Sequence, residues 1–379
     1  MSIKFIHSAD WQLGMTRHFF SKDSQSLYSE ARLEAIREIA RISNEEDCRF
    51  VVVSGDVFES NQVDRKLVIR ALDAMRNFDV NVYLLPGNHD PLDAGSIYLS
   101  PTFRHNCPNN VIVLSSSTPH CVPESNIQII GATWTTKRPL VDLVEKACAY
   151  IELDPSVIHV LVGHGAIDET NPDPNNPALI KIACANAAIT EGLVHYIALG
   201  DRHSLTKSST NNRIWYSGTP LVTDYDESEP NHILIVDIDI ESIEVTPRKV
   251  GSWTFTTKSF DVNTSQDIDA VSDWLSEFQD KHTSVLKLSF VGSLSLAQKA
   301  RLDDIIELST DRFAALEVWD RHTDLVVLPD HSDMSDLGLT GFAAKALDEL
   351  IGKAKGTNDD AQAAQDSLGL LYRLVGRPK

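Results

Sequence analysis

One short segment combines three side chains that can take part in hydrolytic chemistry: Pro86-Gly87-Asn88-His89-Asp90. It follows an apolar run, residues 80–85, and this pattern predicts a strand that ends in a tight turn. Asn88 offers a neutral oxygen ligand, His89 offers an acid, and Asp90 can orient and stabilise that imidazole. Taken alone, the segment would usually be an ordinary polar turn.

Four other segments show the same layout, in which an apolar strand pattern is followed by residues of metal-binding type. These strands are predicted at residues 3–9, 50–54, 157–162 and 196–199. Near-continuous apolar runs are typical of strands buried on both faces, with functional residues just beyond their ends. Each segment alone could be core followed by a polar turn, but five in succession indicate a site for two metal ions. The candidate ligands are Asp10, Gln12, Asp56, Asn88, His164, Asp201 and His203.

In chain order the motifs are Asp10-Trp11-Gln12-Leu13-Gly14, Gly55-Asp56-Val57-Phe58, Gly87-Asn88-His89-Asp90, Gly163-His164 and Gly200-Asp201-Arg202-His203. They resemble the signature of the calcineurin-like metallophosphoesterases, over roughly residues 1 to 250. Within that family the chain looks most like the SbcD-type DNA-repair exonucleases, through the first two motifs and residues 215–220. The resemblance implies an α/β fold, a β-sandwich of two mixed sheets flanked by helices, and metal-dependent phosphodiesterase activity.

The resemblance also implies a role for each candidate ligand. Around the first metal it places Asp10, Gln12, Asp56 and His203; Asp56 bridges to a second metal, which is also held by Asn88, His164 and Asp201. Oxygen and nitrogen ligands without a thiolate favour Mn²⁺, with Fe²⁺ or Mg²⁺ as alternatives. Two ions about 3.5–4 Å apart can activate a water and clamp the phosphate. His89 would then protonate the departing alkoxide, and Asp90 would hold its tautomer.

Two ligand positions depart from the family's pattern, because Gln12 and Asp201 each replace a histidine. The amide of Gln12 is a weaker ligand than an imidazole, and Asp201 adds a third carboxylate to Asp10 and Asp56. We expect a harder site whose first metal binds more loosely. The alternative is a decayed site in which Gln12 and Asp201 bind nothing.

Three further residues are candidates for contact with a substrate phosphate. Arg202 lies between two ligands, and a guanidinium suits the geometry of phosphate. Arg17 and His18 follow the first motif on a predicted loop. His7, on the first predicted strand, is expected to be a core histidine whose hydrogen bonds are satisfied.

Composition bounds the class of protein and its partners. The chain has 379 residues, a net charge of −20 and five cysteines. No two cysteines are close in sequence, and the start lacks a signal-peptide pattern, which favours a cytoplasmic protein without a membrane partner. The negative charge argues against a free-standing DNA binder, because phosphate neutralisation supplies most non-specific affinity. DNA remains the expected partner, because a metal pair adds positive charge and a partner subunit could hold the DNA.

Three regions are predicted along the chain. Residues 1–252 form the dimetal phosphoesterase domain. Residues 253–335 form a small α+β unit, which matches the capping, DNA-binding domain of SbcD-type nucleases. Residues 336–379 form a helical hairpin, which in this family docks on the coiled coil of an SMC-like ATPase. Packing of the hairpin on its own domain is an open alternative, and so is a homodimer.

The sequence therefore predicts a metal-dependent phosphodiesterase, namely a DNA exo- or endonuclease of the SbcD type that acts with an ATPase partner. A phosphoesterase for a small substrate, such as a cyclic nucleotide, would suit the acidity better. A third alternative follows from the ligand departures: a weakly catalytic subunit that binds and regulates its ATPase.

Overall fold

The computed structural model describes residues 2–169, 176, 178–328, 339–354, 361, 363, 364, 367, 368 and 371. The chain divides into two compact units, residues 1–18 with 25–253 and residues 19–24 with 254–379. The first predicted boundary, at residue 252, lies one residue before the end of the first unit. The second helix of the predicted tail hairpin falls largely outside the described residues.

The first unit contains two six-stranded sheets. In spatial order the first sheet consists of β12 (Ile243–Lys249), β11 (His232–Ile238), β1 (Ile3–Ser8), β2 (Phe50–Val53), β3 (Asn81–Leu84) and β4 (Val111–Val113). The second consists of β5 (His120–Cys121), β6 (Ile127–Gly131), β7 (Ile158–His164), β8 (Tyr196–Gly200), β10 (Ile214–Tyr216) and β9 (Thr206–Lys207). Both sheets are mixed. In the first sheet β1 to β4 run parallel, and β11 is antiparallel to β1. In the second sheet β6, β7, β8 and β10 run parallel, and β5 and β9 are antiparallel to their neighbours.

The sequence of β2, Phe-Val-Val-Val, shows why these segments become central strands. Phe50 and Val52 pack in the core between the two sheets, whereas Val51 and Val53 pack beneath the helices on the other face. A strand that is apolar on both faces needs a layer on each side. The covering helices are α1 (Lys22–Glu45), α2 (Arg65–Met75), α3 (Pro101–Asn106), α4 (Leu143–Cys148) and α5 (Ile182–Thr190), and a 3₁₀ turn spans Ile97–Leu99. The predicted α/β fold of two mixed sheets flanked by helices is therefore confirmed.

This topology explains where the candidate ligands lie. β1, β2 and β3 are parallel neighbours in one sheet, and β7 and β8 are parallel neighbours in the other. Their carboxyl ends carry, in that order, Asp10 with Gln12, Asp56, Asn88, His164, and Asp201 with His203.

The second unit is built on a parallel sheet of four strands, β13 (Thr254–Val262), β14 (Ser284–Ser295), β15 (Ala315–Val318) and β16 (Asp324–Leu328). The long strand β14 pairs with β13 on one edge, and on the other edge first with β15 and then with β16. Helices α6 (Ser265–Glu277) and α7 (Leu296–Thr310) each begin with a capping box, and 3₁₀ turns span Lys281–Thr283 and Asp320–His322.

The described part of the tail packs within the second unit. Helix α8 (Phe342–Ala354) buries Leu347 and Ala354 in a cluster with Leu296 and Val327. Docking of the tail on an ATPase stays a prediction. The five cysteines, all within the described residues, are free. No helix in the described part of the chain is long and apolar enough to cross a membrane.

Candidate metal centre

The backbone is strained at four of the seven predicted ligands. Asp10, Gln12, Asp56 and Asp201 have φ angles of 52°, 46°, 52° and 93°, in the left-handed region that side chains rarely adopt. In the described part of the chain eight non-glycine residues have a positive φ, so half of these are predicted ligands. Such strain persists only where the surroundings fix it, and it clusters at functional sites. The turns after β1, β2 and β8, which carry these four residues, are therefore held in strained backbone conformations at the candidate site.

Asp10, Asp56 and His164 form the buried core of the site. Their ligand atoms all lie within 4.8 Å of one another, and none of the three residues is more than 2% exposed. His164 Nε2 lies 3.4 Å from Asp56 Oδ1 and 3.8 Å from Asp201 Oδ1. The same nitrogen lies 2.9 Å from Asn88 Oδ1, which joins the turn after β3 to the group.

The last motif reaches the same place through a backbone group and a side chain. The N–H of Asp201 donates to both carboxylate oxygens of Asp10, at 3.1 Å each. The Asp201 side chain is 33% exposed, so it lies on the open side of the cluster. His203 Nε2 lies 3.9 Å from Asp10 Oδ1, while the opposite ring nitrogen faces Glu227 and Thr223.

Gln12 supplies the clearest sign that a cation fits here. Its Nε2 donates to Asp56 Oδ2 at 3.0 Å, but its Oε1 is buried without a hydrogen-bond partner among the described residues. A buried acceptor without a partner costs about 1–3 kcal/mol, and a cation bound beside it would remove that cost. Oxygen and nitrogen donors, with no thiolate among the candidate ligands, suit a hard or borderline divalent ion.

Two glycines make room for this packing. A Cβ on Gly55, which has φ +90°, would lie 2.2 Å from His164 Nδ1. A Cβ on Gly87 would lie 2.3 Å from Asp56 Oδ1. Any side chain at either position would push a candidate ligand out of place.

The charged groups of the cluster shift one another's pKa values. Burial raises the pKa of Asp10 to about 7, against the opposing effect of His203 and His164. Burial also disfavours ionisation of Asp56, but His164 and His89 bring its pKa below the ordinary value. Burial lowers the pKa of His164, yet Asp56 and Asp10 raise it well above its ordinary value. Positive charge beside these buried carboxylates is therefore favourable, and both a protonated His164 and a bound cation can supply it.

The structure thus brings all seven predicted ligand residues into one cluster, and the oxygen and nitrogen atoms that they offer suit divalent cations. The distances place Gln12, Asn88 and His164 around Asp56, and Asp201 and His203 around Asp10. Which residue holds which ion stays a prediction from the resemblance.

His89 lies at the edge of this cluster. Its Nε2 is 3.9 Å from Asp56 Oδ2, and its side chain is 41% exposed. Its Nδ1 lies 3.0 Å from the carbonyl oxygen of Glu59, and its backbone N–H donates to Asp56 Oδ1 at 2.9 Å. A carbonyl can only accept a hydrogen bond, so Nδ1 carries a proton and Nε2 faces the cluster.

Asp90 does not orient His89, and that prediction is wrong. Asp90 is fully buried, and its Oδ1 accepts the N–H of Gly87 at 2.8 Å. Its Oδ2 accepts the N–H of Phe58 at 3.0 Å and the hydroxyl of Tyr98 at 2.6 Å. Burial raises the pKa of Asp90 to about 6. Asp90 therefore ties the turn after β3 to the turn after β2 and fixes the main chain around the imidazole.

The three predicted substrate contacts differ in their surroundings. Arg202 is exposed, and its Nε donates to Thr206 Oγ1 at 2.8 Å. Arg17 donates from Nη2 to the carbonyl of Thr223, so its guanidinium is engaged within the protein. His18 is exposed. Their contact with a substrate stays a prediction.

Two functional candidates were missed from the sequence, Glu59 beside His89 and Glu227 beside His203. Glu59 follows the second motif directly, but its carbonyl contact depends on how the next turn folds against it. Glu227 belongs to a polar loop, Thr223-Asp-Tyr-Asp-Glu227, and nothing in that pattern points to a histidine 24 residues earlier.

The cluster can be compared with known proteins. The sequence profile of the calcineurin-like phosphoesterases matches residues 3–205, which is more than half of the chain and includes every candidate ligand. Protein TT1561 of Thermus thermophilus is similar at 7% identity and a TM-score of 0.42, over 66% of this chain and 100% of that one. A dimetal phosphatase from Danio rerio is similar at 12% identity and a TM-score of 0.37, over 66% and 99%. A 5′-nucleotidase precursor, also from Thermus thermophilus, is similar at 13% identity and a TM-score of 0.39, over 66% and 55%.

Proposed function

This chain belongs to the calcineurin-like phosphoesterase family, and from that premise we propose that it is a phosphodiesterase of the SbcD type that cleaves DNA. Proteins of the family hydrolyse phosphoesters with two divalent metal ions, and this protein is a phosphoester hydrolase with a matching candidate metal site. The choice of DNA as substrate is the part that we propose.

The position of His89 carries the phosphodiesterase part of the proposal, and the motif resemblance carries the choice of DNA. The sugar oxygen of a nucleic acid is a poor leaving group and needs a proton as its bond to phosphorus breaks. The bond from Nδ1 to the Glu59 carbonyl leaves Nε2, 3.9 Å from Asp56 Oδ2, as the atom that gives this proton when the ring carries a proton on both nitrogens. The hydrogen bond from the His89 N–H to Asp56 keeps the acid beside the cluster.

Two residues of the motifs that resemble the SbcD-type nucleases, Trp11 and Thr219, stabilise the turn that follows β1. Their contacts support that branch of the family. Trp11 is 1% exposed and donates from Nε1 to Ser8 Oγ at 2.8 Å. Thr219 is fully buried and donates its hydroxyl hydrogen to the carbonyl of Asp10 at 2.9 Å. Both residues therefore hold the turn that carries Asp10 and Gln12.

The residues that would hold the two ions are Asp10, Gln12, Asp56, Asn88, His164, Asp201 and His203, and we propose Mn²⁺ as the ion. When bound, such a pair supplies an attacking water of lowered pKa and positive charge around the phosphate. The chain itself positions these ligands through its strained turns and directs His89 Nε2 towards the cluster. Contact of Arg202, Arg17 and His18 with the substrate belongs to the proposal, as does docking of the tail on an SMC-like ATPase.

A small phosphoester, such as a cyclic nucleotide, is the second candidate substrate, and the charge of the chain favours it. The whole chain has a net charge of −20. Residues 254–328, which belong to the second unit, contain 13 acidic and 7 basic residues and have a net charge of −6. A surface of this sign repels a nucleic-acid backbone. The DNA-binding role predicted for this unit therefore needs a partner that supplies the basic surface.

The test compares three substrates with Mn²⁺ present: bis-p-nitrophenyl phosphate, single-stranded DNA and duplex DNA. Cleavage of DNA that is lost in Asp56→Asn and retained in the control Asp226→Asn, an exposed loop acid, supports the nuclease. Activity on the small diester alone supports the second candidate. No activity on any substrate would contradict both, and would favour a regulatory subunit of an ATPase.

A further inference from the structure

Glu227 lies on the Nδ1 side of the His203 ring, opposite the Nε2 atom that faces Asp10. Its side chain is 6% exposed, and its Oε1 lies 3.1 Å from His203 Nδ1. The hydroxyl of Thr223 lies 2.5 Å from the same nitrogen and itself donates to Glu227 Oε1. The imidazole nitrogen therefore contacts the Thr223 hydroxyl, which is nearer, and also the buried carboxylate that accepts the hydrogen of this hydroxyl.

The loop fixes this carboxylate through its own backbone. The N–H of Thr223 donates to Glu227 Oε2 at 2.9 Å, and the N–H of Asp224 donates to Oε1 at 3.1 Å. The loop is held in turn by Tyr28, whose hydroxyl donates to the carbonyl of Val222 at 2.6 Å. A carboxylate fixed in this way can orient a ring without moving itself.

We propose that Glu227 is a positioning residue for the metal centre, and that it keeps a proton on His203 Nδ1 by accepting hydrogen bonds from this N–H and from the Thr223 hydroxyl beside it. With the proton on Nδ1, the lone pair of Nε2 is available on the side of Asp10, where a metal ligand needs it. The other tautomer would place a hydrogen on Nε2, and the ring could not bind a cation there. A carboxylate behind a ligating histidine also makes the imidazole a stronger donor. The inference rests on the proposed two-metal centre.

A purely structural role for Glu227 predicts different results. If the carboxylate only closed the loop from Val222 to Ser228, its replacement would lower stability without changing the affinity for metal. Glu227→Gln separates the two roles. The amide keeps the size of the side chain, but it has one acceptor oxygen, and its NH₂ group can donate to His203 Nδ1 and favour the wrong tautomer. Glu229→Gln makes the same chemical change at an exposed neighbouring position and is the matched control.

The experiment uses the full chain, stripped of metal with a chelator and titrated with Mn²⁺ in a calorimeter. We expect Glu227→Gln to weaken one Mn²⁺ site about 10–100-fold and Glu229→Gln to leave both sites unchanged. Nitrogen-15 NMR of the histidine rings, with His203 assigned by its absence in His203→Gln, should show the Nδ1–H tautomer in the wild type and its loss in Glu227→Gln. Thermal unfolding of the metal-free proteins reports the effect on the loop.

Three results would overturn the inference. Wild-type Mn²⁺ affinity in Glu227→Gln, with a lower melting temperature, would reduce Glu227 to a structural residue while the metal centre stood. An Nε2–H tautomer of His203 in the wild type would exclude the proposed role even if Glu227→Gln did not fold. A wild-type protein that binds no Mn²⁺ would overturn both this inference and the two-metal proposal.

Discussion

Replacement of His7 should remove a defined part of the protein's sensitivity to acid. His7 is fully buried on β1, with Nδ1 3.0 Å from the hydroxyl of Tyr196 and Nε2 3.1 Å from the carbonyl of Leu199. The prediction of a core histidine with satisfied hydrogen bonds is confirmed. Burial lowers the pKa of His7 to about 3.

The direction of the effect follows from which state binds the proton. In the unfolded chain a histidine has a pKa of about 6.5. Below that pH the unfolded state therefore binds a proton at residue 7, whereas the folded state does not. The stability contributed by neutral His7 is thus present above about pH 6.5 and is lost as the pH falls towards 3. At about 1.4 kcal/mol per pH unit, the loss between about pH 7.5 and about pH 5 is about 2 kcal/mol.

The assay is urea unfolding of the chelated wild type and of His7→Gln at about pH 7.5 and about pH 5. We expect the free energy of unfolding to fall less in the variant than in the wild type, by about 2 kcal/mol. Other titrating groups are common to both proteins, so the difference isolates His7. His105→Gln, at an exposed histidine, controls for the loss of a histidine elsewhere. Equal falls in the wild type and His7→Gln would refute the assignment of this acid sensitivity to burial of His7.

Three further predictions concern the centre and the tail. His89→Asn should lower turnover of DNA about 10²–10⁴-fold but that of bis-p-nitrophenyl phosphate far less, because p-nitrophenolate needs no proton; equal losses would exclude the acid role. Gln12→His should lower the Mn²⁺ concentration that gives half-maximal activity, because imidazole is the stronger ligand, and an unchanged calorimetric affinity would contradict this. Deletion of residues 340–379 should leave the Mn²⁺ stoichiometry unchanged and abolish capture of an SMC-like ATPase. A truncated protein that precipitates would instead show that packing on Leu296 and Val327 is essential, and the docking prediction would be abandoned.

The positions of the ligands could be predicted because strand burial and ligand chemistry are both local in sequence. A run such as Phe50–Val53 must be a central strand, and in parallel sheets the carboxyl ends of such strands meet at one edge. Asp56 and Asn88 therefore had to come close together once their strands were recognised. The same reasoning could not tell how each side chain would point.

Asp90 shows the limit of this reasoning. It is next to His89 in sequence, and a carboxylate beside an imidazole is a familiar catalytic pair. The turn instead sends its carboxylate into the core, where backbone donors from two segments and Tyr98 receive it. The imidazole of His89 instead contacts the carbonyl oxygen of Glu59, and the imidazole of His203 contacts the carboxylate of Glu227. Both glutamates come from distant parts of the chain. Such contacts depend on the tertiary packing of loops, for which spacing gives no signal.

The geometry at Gln12 and Asp201 bears on whether the departures from the family's pattern mark decay. Both residues keep φ angles in the left-handed region, 46° and 93°, which cost of order 1–3 kcal/mol each unless the surroundings hold them. A centre that no longer bound metal would gain stability by relaxing these turns. Instead the Asp201 N–H still supports Asp10, the Gln12 amide still reaches Asp56, and the Gln12 oxygen remains buried without a partner among the described residues. This retained strain supports an altered but working centre, in which Gln12 is the weaker donor and Asp201 supplies the extra negative charge.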